Sequence, residues 1–211
     1  MDAIFEEMSA ATDAALERDL PARERLLIDL VADVCLGTLG EPYALHVRTA
    51  AAHGISGDEL RELLRFIAYD SGYQAAALAM TRLPEIEKAY GLPAPAGIGH
   101  EVDAAGTGSP IPQQVREEVR ALDEPFAAYM DLQSRMRAGM SQLSVRERAF
   151  CTIAVDVLYQ TLTVSLRTHV GRALSAGARP GEVAAVVRYV AKYGMTRGWA
   201  AMIAVKEILE P

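Results

Sequence analysis

The stretch ALHVRTAAAHG at residues 44–54 is answered 123 positions later by RTHVGRALSAG at residues 167–177, with the histidine, a valine, an alanine and the closing glycine in the same places. Working outward, the same shift lays LPARER (20–25) on LSVRER (143–148). Over residues 20–77 about 16 of 58 positions agree without a gap. Self-similarity at a fixed period is the mark of a duplicated supersecondary unit. The agreements are chemically specific: Arg23/Arg146, Glu24/Glu147, Arg25/Arg148, Asp33/Asp156, His46/His169, Gly54/Gly177, Glu59/Glu182 and Arg65/Arg188.

Each copy reads as helices joined by short turns. Leu60, Leu63, Leu64 and Ile67 fall at helical spacing, and Val183, Val186, Val187 and Val190 occupy the same phase in the second copy, so both predict a buried helix face. Ser56 with Glu59 and Ser144 with Glu147 have the S-x-x-E form of a capping box, and Pro21 and Pro180 suit a first helical turn. Gly54 and Gly177 stand where the preceding helix should stop, because glycine accepts the left-handed C-cap conformation. No segment alternates with period two for long enough to predict a strand. The expected fold is therefore all-α, two tandem repeats of one helical unit at residues 1–90 and 113–211. The Gly/Pro-rich string GLPAPAGIGHEVDAAGTGSPIP (91–112) separates them as a linker.

Composition narrows the function. About half the residues are hydrophobic and the net charge is −7, which suits a globular chain and argues against nucleic acid, since phosphate neutralisation needs a basic face. No apolar run approaches the roughly 18–20 residues of a spanning helix. The acidic start MDAIFEEMSA is unlike a signal peptide, so a cytoplasmic protein without a membrane partner is expected. The two cysteines, Cys35 and Cys151, lie far apart on apolar helical stretches and read as small buried hydrophobes rather than a redox pair.

At this level of detail the chain resembles the carboxymuconolactone decarboxylase superfamily, which also contains the AhpD-like alkylhydroperoxidases. The resemblance is carried by R-E-R opening a helix and, some twenty residues on, by H-x-x-x-A-x-x-x-G-x-x-x-x-E. That string is His46, Ala50, Gly54, Glu59 in one copy and His169, Ala173, Gly177, Glu182 in the other. The peroxidase branch uses a C-x-x-C pair four residues before the histidine. Here those places hold Leu39 and Pro42, and Leu162 and Ser165, so this chain lacks that chemistry. The decarboxylase branch implies acid-base handling of a small cyclic or unsaturated acid without metal or organic cofactor, in a lyase, isomerase or cyclase. Pro42 and Ser165 replace a glutamate common there, and the following helix reads Asp70, Gly72, Gln74 and Tyr193, Met195, Arg197 in place of Tyr-x-Gly-x-Pro. These departures point to a relative with a different substrate. The resemblance also implies a homo-oligomer, a trimer in tandem members, and Ile4, Phe5 and Met8 at helical spacing could pack on a neighbour.

His46 and His169 are the candidate acid-base groups, because imidazole titrates near neutrality. The duller alternative is a hydrogen-bonded core histidine inherited by both copies. The copies diverge most after Ala68 and Ala191, where Tyr69, Asp70 and Tyr73 face Tyr193, Arg197 and Trp199, with Lys192 among them. These residues and Tyr43 are candidate contacts for a small-molecule substrate, their alternative being helix-end polar residues and one buried tryptophan. His53 lies near the face of His46, and His100 in the linker is expected to be solvated. Arg23, Glu24, Arg25 and their counterparts read as ion pairs tying helices or subunits together rather than as catalysts. The competing functional class is a ligand-binding or assembly protein that kept the fold without catalysis.

Overall fold

A computed structural model describes residues 2–16, 19–102 and 111–210, and among these the regular structure is entirely helical. The first repeat runs α2 (Ala22–Leu36), α3 (Glu41–Ala52), α4 (Gly57–Ser71) and α5 (Tyr73–Ala89). The second runs α8 (Val145–Tyr159), α9 (Val164–Ser175), α10 (Pro180–Val190), a 3₁₀ turn (Ala191–Tyr193) and α11 (Met195–Leu209). Helix α1 (Ala3–Leu16) precedes the first set, and the hairpin of α6 (Gln113–Leu122) and α7 (Glu124–Arg137) stands between the two.

The local signals act where the sequence places them. Ser56 and Ser144 each accept the amide of the third helical residue, Glu59 or Glu147, at 3.2 Å, and those glutamates return a bond to the serine amide. Four otherwise orphaned donors are met in this way. Gly54 and Gly177 close α3 and α9 at φ 79° and 87°, where a β-carbon would be strained. Pro180 opens α10, and Pro21 stands one residue before α2.

Helices α2 and α8 form the centre and lie against each other. Residues 26–34 of α2 and 149–158 of α8 are buried without a break, so these helices have no solvent face. The amphipathic helices α4 and α10 cover them with the predicted face: Leu60, Leu63, Leu64 and Ile67, and Val183, Val186, Val187 and Val190, are all buried. At the start of the central pair the duplication becomes a two-fold relationship. Arg23 pairs with Glu147 of the other repeat at 2.5 Å while Arg146 pairs with Glu24 at 2.7 Å. Each arginine also holds its own repeat's glutamate, Glu59 at 2.5 Å and Glu182 at 3.0 Å. The contact of residue i on one unit with residue j on the other is thus returned with the roles exchanged, as across an isologous dimer interface.

Three expectations need correction. The repeat does not stay in register past Ala191: Gly72 and Gly194, which precede α5 and α11, are 122 residues apart, and the tighter 3₁₀ turn takes up the missing residue. Tyr73 therefore pairs in the fold with Met195. Trp199 is 68% exposed rather than buried, because α11 turns it outward beside α1. His100 is half-buried, with its Nε2 2.9 Å from the Met136 carbonyl. The linker is tied down nearby, since the buried Asp58 carboxylate accepts the amides of Ala96, Gly97 and Ile98. Helix α1 buries none of its residues, and Ile4, Phe5 and Met8 are exposed on it.

Arg146→Ala strips Glu24 and Glu182 of a shared cation and leaves Glu24 buried. The expected loss of unfolding free energy is about 2–3 kcal/mol. Arg179→Ala, removing a guanidinium 79% exposed on the same Glu182, should lose much less. Urea unfolding of the two variants beside the parent protein measures both.

Candidate active site

Each repeat builds the same three-residue arrangement at the turn between its first two helices. Asp33, one turn from the end of α2, accepts Thr38 Oγ1 at 2.7 Å on one oxygen and lies 2.6 Å from His46 Nδ1 on the other. Asp156 does the same with Thr161 and His169, each at 2.6 Å. The reversal that brings α3 back along α2 passes through Gly37 at φ 70°, and its counterpart Gln160 takes φ 59° with its amide held by the Val157 carbonyl. A carboxylate only accepts, so Nδ1 of each neutral imidazole carries the proton and Nε2 keeps its lone pair. The carboxylate thereby fixes the tautomer and the orientation of each ring.

What faces that nitrogen differs between the copies. His169 borders a cavity of about 840 Å³, whose wall includes Tyr69, Arg137, Arg167 and Arg172. The far repeat supplies the end of α4: Asp70 Oδ1 stands 3.9 Å from His169 Nε2, while Asp70 Oδ2 is 3.3 Å from Arg137. The Arg137 guanidinium also covers the Tyr69 ring at 4.1 Å. Arg172 has no hydrogen-bond or ion-pair partner among the described residues, only the Phe66 ring 5.6 Å away. Burial, then the neighbouring Arg148 and Arg137, weaken its hold on its proton, and Asp70 opposes them incompletely. With three arginines and one carboxylate, Glu207, in its lining, the cavity carries more positive than negative charge, the electrostatic complement of a small anion.

The His46 recess is smaller, about 330 Å³, and it is faced by the second repeat's Tyr189 and Lys192. Buried Asp29 takes the hydroxyls of Tyr189 at 2.8 Å and Tyr193 at 2.6 Å and the Lys192 ammonium at 2.8 Å. Its polar groups thus satisfy one another. In the 123-residue register Thr49 and Ala44 stand where the other copy has Arg172 and Arg167, and Asp29 replaces Thr152.

Of the residues expected as substrate contacts, Tyr69 and Asp70 meet at His169, and Tyr193 joins the Asp29 cluster beside His46. The remainder are elsewhere. Tyr43 is a core residue, 1% exposed, with its hydroxyl 3.4 Å from the Ala79 carbonyl. Tyr73 gives its hydroxyl to Gln133 at 2.5 Å. Arg197 and Trp199 lie on α11, Trp199 in an apolar groove against α1. His53 borders the His46 recess, Nδ1 2.9 Å from the Thr49 carbonyl. Sequence reasoning missed Thr38, Thr161, Arg137, Arg167 and Arg172 and gave Asp33 and Asp156 no role. For Asp33/Asp156 and Thr38/Thr161 the available signal was identity in both copies; the arginines have no counterpart and left none. Burial pushes the Cys35 thiol up to about 12 and pushes Cys151 up as well, so neither offers a thiolate near neutrality.

An all-helical tandem repeat with a carboxylate-oriented histidine in each half defines a class of protein without a strand, a C-x-x-C pair or a helix long and apolar enough to cross a membrane among its described residues. The chain matches the Carboxymuconolactone decarboxylase family over residues 2–83 and again over 123–210, and it belongs to that family. No curated protein matches it in sequence.

The pair at His46 leaves a signature in stability. Burial alone would lower the His46 pKa, but the hydrogen bond and charge of Asp33, with Asp29 adding to them and Lys192 opposing, hold it above the ordinary value. A folded pKa above the unfolded one means that protonated His46 stabilises the protein fully below about pH 6.5 and ceases to as pH rises through the folded pKa. The stability gap between the parent protein and His46→Gln should therefore be larger at about pH 5.5 than at about pH 8.5. Guanidinium unfolding at the two pH values tests this, and an equal gap would contradict it.

Proposed function

We propose that this protein is a cofactor-independent acid-base enzyme acting on a small unsaturated or cyclic carboxylate, and that the reacting histidine is His169. The observation that carries this reading is the convergence on one cavity of the Asp156-oriented His169 with Arg172, which has no ion-pair partner among the described residues. Proton removal next to a conjugated carbonyl, or loss of carbon dioxide from it, moves charge onto the carbonyl oxygen as an enolate. Arg172 and Arg137 supply positive charge for that oxygen or for a substrate carboxylate, and His169 Nε2 takes or returns the proton. His46, with the same dyad but a self-satisfied recess, is the scaffold's second copy of the arrangement and does not carry the reaction.

Muconolactone, an unsaturated lactone bearing a carboxylate, is a suitable probe because its ring C–H beside the oxygen exchanges with solvent deuterium only when a base removes it. The protein should accelerate that exchange, followed by proton NMR. His169→Asn should slow it by about 100-fold or more, while His46→Asn leaves it as fast. Arg172→Ala should raise the half-saturating concentration about tenfold, equivalent to about 1.4 kcal/mol of binding. Saturable binding with no exchange would instead support the non-catalytic ligand-binding class on the same fold.

A further inference from the structure

The His169 cavity is much larger than an acid of a few carbons, and much of its wall is apolar. We propose that the substrate is an amphiphilic monoacid: an unsaturated carboxylate whose head lies at His169 and Arg172 and whose apolar substituent of several carbons fills the rest of the cavity. The proposal rests on the reading of His169 as the reacting group and adds to it the class of molecule the site takes.

Size and lining come first. At about 840 Å³ the cavity is toward the upper end of the roughly 300–1,000 Å³ that encloses a drug-sized ligand. Its apolar wall has three sources: Ile111 and Val115 at the start of α6, Leu162 and Val164 at the entry to α9, and Ala204 and Ile208 near the end of α11. Val164 and Arg172 stand eight residues apart on α9, about 12 Å along the helix axis, with His169 between them. An acid whose carboxylate meets Arg172 and whose reacting carbon meets His169 is thus directed toward Val164.

The charges of the lining suit one anionic group. Of its three arginines, Arg137 is already paired with Asp70 at 3.3 Å. Glu207 offsets one of the remaining two, Arg167 and Arg172, which leaves a single positive charge in excess. Half-buried Arg172 is a better seat for a carboxylate than exposed Arg167, because the attraction is screened less there. A second carboxylate in place of the apolar substituent would have no cation left to meet it and would be desolvated without compensation.

The other copy lacks this wall. At the matching positions Glu41 stands for Val164 and, with α11 read at a shift of 122, Arg82 stands for Ala204. The recess at His46 is correspondingly polar. Helix α6 is a further departure, since it lies between the two stretches that match the family, 2–83 and 123–210. It buries none of its own residues, so core packing does not account for the apolar side it presents at Val115.

The probes are trans-2-butenoate, trans-2-hexenoate and trans-2-octenoate, titrated into the protein and followed by NMR. Affinity should rise about threefold for each added methylene. Trans-2-hexenedioate, with a carboxylate at the end of the tail, should bind no tighter than trans-2-butenoate. Val164→Glu and Val115→Asp alter an exposed and a half-buried position, and each should flatten the series while trans-2-butenoate binds as before. Arg172→Ala should weaken every member by one factor, about tenfold, and keep the slope. Equal affinity across the series overturns the proposal, as does tightest binding of the dicarboxylate. A slope that persists in both wall variants overturns it too, because the tail then lies elsewhere, as in the groove beside Trp199. An Arg172→Ala variant that binds the whole series as the parent protein does is a different failure, that of His169 and Arg172 as the reacting end, and it is read independently of the slope.

Discussion

A helix buried on every face can carry a carboxylate only if a neighbour satisfies it, and α2 and α8 are both helices of that kind. Asp33, Asp156 and Asp29 are all within a few per cent of complete burial. Leaving any of them without donors would cost several kcal/mol in desolvation. The imidazoles, the threonine hydroxyls and the Tyr189–Lys192–Tyr193 group are the partners the fold supplies. The dyads are thus part of what permits two such helices to form the core, and their presence in both copies follows from that requirement alone. Chemistry enters only at the far nitrogen of each ring.

At that nitrogen the copies have taken opposite courses. Around His46 each buried polar group has found an internal partner, and the space left is a shallow polar recess. Around His169 the balance is left open: Arg137, Arg167 and Arg172 approach one cavity whose lining carries one carboxylate, Glu207, while Asp70 is paired with Arg137. Like charges at short range in a partly desolvated setting are unfavourable in the empty protein. An arriving anion relieves the repulsion, so the same charges that reduce stability provide the driving force for binding.

The scaffold was legible because its signals are local. Capping boxes at Ser56 and Ser144, the glycine stops at Gly54 and Gly177 and the Leu/Ile and Val faces of α4 and α10 each act within one or two helical turns. The repeat in the sequence made them doubly visible. The site was less legible because its contacts cross the chain. Asp33 and Asp156 stand out as repeated residues, but they are thirteen positions before their histidines and on another helix, so no spacing rule joins them. Arg172 and Arg137 meet Asp70 only after the two halves come together. Trp199, read as a substrate contact or else as a buried tryptophan, is exposed on the outward face of α11. The uninterrupted register failed at Ala191 because a 3₁₀ turn hides a missing residue that matching letters do not reveal.

The end of α4 faces the histidine of the second repeat, and the end of α10 faces that of the first. Neither half contains a whole pocket, and the duplication has therefore produced two mixed centres from four half-sites. A change in the first half at Asp70 is felt by the histidine of the second, and a change at Lys192 by the histidine of the first. Such an arrangement ties the heredity of the two halves together: neither can specialise its own centre without recruiting changes in the other, and a single-repeat ancestor would have needed a second chain to close either one.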